Sequence, residues 1–461
     1  MIHSSKPELL SPAGSLRNMR YAFAYGADAV YAGQPRYSLR VRNNEFNIEN
    51  LKTGIDEAHQ LGKKFYVVSN IAPHNSKVDT YLKDIAPIID MQPDALIMSD
   101  PGMIMLVREH YPKMPIHLSV QANAVNYATV QFWSRLGIER VILSRELSLK
   151  EIDVIRTKVP DIELEIFVHG ALCMAYSGRC LLSGYINKRD PNQGACTNAC
   201  RWQYTAEKAR ENETGDIVHV QQPDVNTPVL GLGQPTDDVY LLEEPMKPGE
   251  YMPAFEDEHG TYIMNSKDLR AVQHVETLVG MGVHSLKIEG RTKSHYYCAR
   301  TAQVYRKAID DAAEGKPFDP DLMLSLEGLA NRGYTEGFLR RHTHDEYQNY
   351  QSGSSVSDHQ QFVGEILGWC PDTEMAIVDV KNKFCVGHQL ELMTPDGNLT
   401  FDLQYMIDYK GNTIDNAKGS GHQVRIPVPH GVSLDYALLL RNLEENQTTR
   451  RPFDTAPVET A

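Results

Sequence analysis

From Glu8 to Gly290 short runs rich in aliphatic and β-branched residues alternate with helical stretches of ten to twenty residues. That alternation predicts repeated βαβ units and a parallel sheet. The runs are 8–11, 29–32, 65–70, 95–99, 116–120, 141–144, 164–168, 262–265 and 285–289, nine candidates where a closed barrel takes eight. One of the last two is expected to lie outside the barrel or to complete it irregularly. The first run ends in Ser11-Pro-Ala-Gly14 rather than in a Gly-x-Gly-x-x-Gly turn. This favours an α/β fold of the (β/α)8, TIM-like barrel type over a doubly wound dinucleotide-binding sheet.

Alternation inside the runs assigns faces, because successive strand residues point to opposite sides. With Ile116, Leu118 and Val120 turned to the surrounding helices, His117 and Gln121 face inward; with Leu164, Ile166 and Val168 outward, Glu165, Phe167 and His169 face inward. In the last run Leu286 and Ile288 oppose Lys287 and Glu289. Charged groups inside a barrel are costly unless paired or used. Near the carboxyl ends of strands they mark an active site. The plainer expectation is a buried ion-pair layer, Glu165 with Lys287.

The pattern breaks between Trp202 and Gly260 into a polar, acidic stretch that reads as an insertion (202–260). Residues 342–361, rich in His, Ser, Gln and Asp, suit a linker between a barrel over 1–341 and a small β-barrel domain over 362–448. That domain is expected from the runs beginning at Phe362, Met375 and Val386 and the turn Thr394-Pro-Asp-Gly397. Residues 449–461 read as a disordered tail.

At 461 residues the chain exceeds one average domain of about 150 residues. Its 41% hydrophobic and 23% charged residues are ordinary for a chain that buries a core. No signal-like start or membrane-length apolar run is visible, so a cytoplasmic protein without a membrane partner is expected. The net charge of −14 repels polyanions as a whole, which leaves nucleic acid to a local basic face.

Four of the seven cysteines, Cys173, Cys180, Cys196 and Cys200, crowd together directly after the seventh run, at the catalytic end of the expected barrel. In a reducing compartment such crowding suggests a metal rather than disulfides. Four thiolates suit a four-iron cluster (4Fe-4S) or a tetrahedral zinc, and spacing does not decide between them. Position 203 is Gln, so the close cysteine triplet of enzymes that cleave S-adenosylmethionine is absent, and so is bacterial ferredoxin spacing. Cys298, Cys370 and Cys385 read as small buried apolar residues.

The run Glu165-Ile-Phe-Val-His-Gly-Ala-Leu-Cys173, continued by Met-Ala-Tyr-Ser-Gly178-Arg-Cys180-Leu-Leu-Ser183, resembles the signature of the collagenase-like peptidases, the unassigned peptidase family thirty-two. Pro7-Glu-Leu-Leu-Ser-Pro-Ala-Gly14, Ala27-Asp-Ala-Val-Tyr-Ala-Gly33 and Asn265-Ser-Lys-Asp-Leu269 extend the likeness over the barrel. Through Ser183-Gly-Tyr-Ile-Asn-Lys-Arg-Asp190 and Lys287-Ile-Glu-Gly-Arg291 the chain is most similar to the tRNA-hydroxylating branch. The resemblance implies tRNA as substrate, prephenate as co-substrate, 5-hydroxyuridine at the wobble position as product, and a four-iron cluster on Cys173, Cys180, Cys196 and Cys200. Relatives act on ribosomal RNA or in ubiquinone hydroxylation.

Hydroxylating C5 of uracil needs an oxidising equivalent that ordinary side chains lack, which a redox cluster supplies and a structural zinc does not. Prephenate, a dianion, needs a cationic pocket. Arg40, Arg42, Arg145 and Arg291, at expected strand ends, are the candidates, with Gln121 beside them. His169 and Glu165 are expected as proton movers, with Lys287 and Glu289 on the same inward surface. For RNA, the segment Arg291-Thr-Lys-Ser-His-Tyr-Tyr-Cys-Ala-Arg300, with Tyr305-Arg-Lys307 and Arg340-Arg-His342, interleaves cations with rings. Two other functions stay open: a peptidase with Cys173 as nucleophile served by His169, although His-Glu-x-x-His and Gly-x-Ser-x-Gly motifs are absent, and a non-catalytic iron-sulfur partner protein.

Overall fold

A computed structural model describes residues 6–39, 45–172, 267–331, 333–340, 360–419, 421–429 and 431–443, together with the backbone of short strands between 205 and 261. Eight parallel strands close a barrel: β1 (Glu8–Pro12), β2 (Ala29–Gly33), β3 (Lys64–Ser69), β4 (Ala95–Met98), β5 (Ile116–Leu118), β6 (Arg140–Ile142), β7 (Glu163–Ala171) and β8 (Ser285–Ile288). Closure is made by β8, which pairs with β1 through Glu8 and Ser285 and with β7 through Glu165 and Ser285. The eighth strand is therefore the last of the nine sequence candidates, and the run 262–265 lies outside the described residues.

Helices follow the strands because most βα loops end on a residue able to cap. Ser15, Asn47, Asp100, Asn126, Ser148 and Ser294 each accept a hydrogen bond from the backbone N–H three residues on. That satisfies donors which a helix start leaves open. Ser148 and Glu151 form a reciprocal capping box, and Pro101 opens its helix where no N–H is needed. The helices turn buried residues such as Leu51, Ile55, Ile85 and Ile155 onto the outer faces of the strands.

Beyond the mouth the strand Asp268–Arg270 runs antiparallel to the end of β7, Asp268 opposite Ala171, and pairs in turn with Tyr334–Thr335. Between 205 and 257 the insertion forms a four-stranded antiparallel sheet from Thr205–Glu211, Ile217–His219, Val239–Glu243 and Tyr251–Ala254. No helix among the described residues is long and apolar enough to cross a membrane.

The C-terminal domain is an eight-stranded antiparallel sheet. Its long strand Gln360–Cys370 lies between Met375–Val380 and Leu438–Asn442 and begins within the stretch expected as linker. Alternate residues such as Ala376, Val378 and Val380 fill its own core.

This domain is seated on the barrel through the helix His295–Ala313 that follows β8 and through the first helix, Leu16–Ala24. Tyr296 stacks on Phe362 with ring centroids 5.1 Å apart, and Arg300 reaches Glu391 at 2.5 Å. Tyr25 donates to the carbonyls of Met393 and Tyr436, and Tyr21 to Glu365 at 2.8 Å. Met393, Leu438 and Leu440 join the barrel's core. Part of the segment that sequence assigned to RNA is thus a seam: Arg300, 2% exposed, and the buried Tyr296 meet the second domain, while Tyr297 and Tyr305 are buried against the barrel. A cation interleaved with rings also serves a buried domain contact, which explains the difference.

Candidate active site

The interior of the barrel is charged from its floor upward. At the amino-terminal end Glu8 accepts from Arg140 at 2.6 Å, from Tyr66 at 2.7 Å and from Ser285 at 3.3 Å. Arg140 also reaches Glu165 at 3.2 Å, and Glu165 accepts from Lys287 at 2.7 Å. Glu165 has no exposed surface. Burial alone would raise the carboxyl of Glu8, but the charge and hydrogen bonds of Arg140, with Tyr66, hold it below its ordinary value. Burial lowers the ammonium of Lys287. His117 packs its ring edge-on to Tyr66 and is kept neutral by burial and by the charges of Arg140 and Lys287.

Lys287 sits 4.2 Å from the ring centre of Tyr31 and 5.5 Å from that of Phe167. Arg145 lies over Phe167 at 3.8 Å and donates to Glu289 at 3.2 Å. One column of alternating charges and rings therefore runs from Glu8 to Arg145. Only its upper end, Arg145 and Glu289, belongs to the carboxyl-terminal mouth where barrels of this type do chemistry. Glu165 and Lys287, expected as catalytic, belong to the ion-paired layer beneath.

At the mouth Arg291 donates to Ser38 at 2.9 Å and lies 5.8 Å from the ring centre of Tyr31. A Cβ on Gly33 would collide with Ser38, and one on Gly170, whose φ is +105°, would collide with the Glu289 carbonyl. Glycine is what lets these loops approach so closely. Asn70 donates to Ser119 at 3.1 Å, and Gln121 follows β5 in a short 3-10 turn on the same rim. Guanidiniums suit carboxylates and phosphates, and Arg145 and Arg291 are the two described candidates, Arg145 already paired with Glu289.

His169 corrects the sequence expectation. The pairing of β7 with β8 shifts register, Lys287 opposite Phe167 but Ile288 opposite His169. The extra residue reverses the alternation. His169 consequently sits among Tyr297, Tyr305 and Tyr334, with ring centroids 5.5 to 5.8 Å away. Its Nδ1 lies 3.3 Å from the Tyr305 hydroxyl, and burial lowers it to about 3. It is a neutral packing group on the helix side of β7.

Arg40, Arg42 and the cysteines Cys173, Cys180, Cys196 and Cys200 lie outside the described residues. β7 ends at Ala171, two positions before Cys173, so the chain enters the cysteine segment directly from the barrel rim. Among the described residues no group of three or more His, Cys, Asp or Glu could hold a metal. Four thiols on that segment have the donor chemistry of an iron-sulfur or zinc site. Cys298 is buried, its thiol pushed up to about 12, whereas Cys370 and Cys385 are partly exposed rather than buried.

Sequence reasoning missed Glu8, Tyr31, Tyr66 and Arg140, and placed Phe167 on the inward face, where it lies under Arg145. The alternation rule reaches Glu8 and Arg140, since each heads a strand whose alternate residues face inward.

Residues 14–349 match Peptidase family U32 and residues 358–441 its C-terminal domain. The "tRNA hydroxylation protein P" of Escherichia coli is 70% identical over 97% of this chain and 99% of its own length. The "tRNA hydroxylation protein P1" of Bacillus subtilis is 34% identical over 90% of both chains. A 23S rRNA 5-hydroxycytidine synthase of Escherichia coli is 26% identical over 96% of this chain and 60% of its own. With the closed barrel described and both segments matched, the chain belongs to Peptidase family U32.

Proposed function

We propose that this protein hydroxylates tRNA, converting the wobble uridine to 5-hydroxyuridine with prephenate as co-substrate. The observation that carries this reading is 70% identity along almost the whole chain to a tRNA hydroxylation protein. The mouth supports it, because Arg145 and Arg291 are two immobilised cations for a dicarboxylate or for RNA phosphates. Cys173, Cys180, Cys196 and Cys200 would hold a four-iron cluster, which when bound supplies redox chemistry. Arg145 and Arg291 bind and orient the anion, Glu289 fixes Arg145, and Gln121 and Asn70 offer hydrogen bonds on the rim.

The peptidase alternative is disfavoured by His169. An imidazole enclosed by three tyrosines and held neutral is a poor base for a neighbouring thiol.

In cells lacking the protein, nucleoside mass spectrometry of total tRNA should show the 5-hydroxyuridine derivatives depleted, and undiminished levels refute the reading. Protein purified without oxygen should carry iron and sulfide in the ratio of a four-iron cluster, and zinc in their place removes the assigned redox centre.

A further inference from the structure

The cations of the rim are not spread evenly around it. β8, β1, β2 and β3 are neighbours in the closed barrel. The segment after each of them, loop or first helical turn, carries a cation: Lys293, Arg17, Arg36 and Lys77 in that order. The loops after β4 and β5, residues 99–100 and 119–126, carry neither lysine nor arginine. One arc of the mouth is therefore basic on a chain whose net charge is −14. Such a molecule repels a polyanion as a whole and meets it where a local surplus of cations lies.

Arg36 and Lys77 form the outer end of this arc, and the function above leaves both unused. Arg36 stands two positions before Ser38, the residue that holds Arg291, so the pair lies just beyond that guanidinium on the rim. The two loops are tied together: the Lys77 Nζ donates to the Arg36 carbonyl at 3.3 Å, and the Ile71 N–H to the Tyr37 carbonyl at 3.2 Å. The Arg36 side chain is 56% exposed. Its Nη1 donates to Asp84 at 2.6 Å, which leaves most of the five N–H donors of a guanidinium for other acceptors. Asp84 is shared, because it also accepts from the Tyr37 hydroxyl at 2.8 Å. Lys77 has no carboxylate at ion-pair distance among the described residues.

Holding the pair there is costly. Arg36 has φ +69°, a conformation that a non-glycine residue seldom adopts. Lys77 stands in the first turn of the helix Asn75–Asp90, where a cation is disfavoured. Burial, and after it the charge of Arg36, lower its ammonium. An anion seated between the two side chains offsets the repulsion.

We propose that Arg36 and Lys77 are a docking point for the sugar-phosphate backbone of tRNA, the guanidinium and the ammonium sharing one phosphate at the outer edge of the basic arc. This rests on the tRNA-hydroxylation reading above and deepens it, since it gives the RNA backbone its own contacts and leaves Arg145 and Arg291 to the small acid. A planar guanidinium matches two phosphate oxygens, and an ammonium adds a point charge. Contacts of this kind position the RNA without reading its sequence.

The test uses the full-length protein and tRNA from cells that lack it. With Arg36→Gln and Lys77→Gln combined, tRNA should bind about 10-fold or more weakly. The slope of log affinity against log salt should become shallower by about 1 for each cation removed. The loss should be equal for tRNAs with and without uridine at the wobble position, and prephenate binding measured by calorimetry should stay at the wild-type level. Arg36→Lys with Lys77→Arg keeps both charges and should keep the wild-type salt slope, which separates charge from the local fold. Melting temperatures check that both variants are folded.

Wild-type affinity and salt slope in the glutamine variant overturn the proposal. So does a loss confined to tRNAs with wobble uridine, which marks base reading, or a loss of prephenate binding with tRNA binding intact, which marks a site for the small acid. If the pair is needed for tRNA binding while cells without the protein keep their 5-hydroxyuridine, the hydroxylation reading fails and the docking surface stands.

Discussion

The best-defined single interaction inside the barrel is Glu165 between Lys287 and Arg140, because all three are buried and close. Removing one partner of such a set leaves an uncompensated charge, which costs about 3–5 kcal/mol, whereas removing the pair together costs far less. Glu165→Leu should therefore lower the denaturant midpoint severely, and Glu165→Leu with Lys287→Met should recover much of it. Equal losses in the single and the double variant would show that the column is not coupled as described. Sequence alternation placed Glu165, Lys287 and Glu289 on the inward surface but did not separate floor from mouth. That separation depends on how far along each strand a residue sits once the barrel closes, which register alone settles: Glu165 lies level with Ser285 near the start of β8, and Glu289 lies just past its end.

At the scale of elements, the bulge in β7 decides the fate of His169, and a bulge leaves no mark in a run of alternating residues. Its consequence is measurable. His169 is lowered to about 3 and His295 to about 4, both chiefly by burial, and His117 is lowered well below its ordinary value. In the unfolded chain each takes up a proton below about pH 6.5. Because the folded pKa values are depressed, the stability they contribute is complete above pH 6.5 and is lost as pH falls toward the folded values. Each histidine can add up to about 1.4 kcal/mol per pH unit to that loss. Unfolding free energy should fall steeply between pH 6 and pH 4, and His169→Phe should flatten the slope although it costs stability at pH 7.5. An unchanged slope in that variant would contradict the buried, neutral assignment. The same scale shows why the strands were legible and the helix 295–313 was not. Its arginines and tyrosines have the composition of an RNA-facing surface, and only the arrival of Phe362 and Glu391 from a domain far along the chain reveals a buried seam.

For the whole molecule, that seam makes the barrel and the C-terminal domain one packed body. Tyr25 caps two carbonyls of the second domain, and Arg300 is enclosed against Glu391. Arg300→Met leaves the partly buried Glu391 without its cation, so it should expose residues 360–443 to faster hydrogen exchange while the strands of the barrel keep their protection. Uniform protection in both parts would show that the ion pair does not hold the domains together. The division into two domains was readable from composition and turn chemistry, but their docking was not, because the contacts join positions separated by hundreds of residues.

In the proposed function the barrel mouth, with Arg145 clamped between Phe167 and Glu289, performs tRNA hydroxylation. The most direct measurement is nucleoside mass spectrometry of tRNA from cells lacking the protein and re-supplied with either the wild type or Arg145→Met, each confirmed to be folded and equally abundant. The account predicts that the wild type restores 5-hydroxyuridine and that Arg145→Met leaves it depleted. Full restoration by Arg145→Met would contradict it.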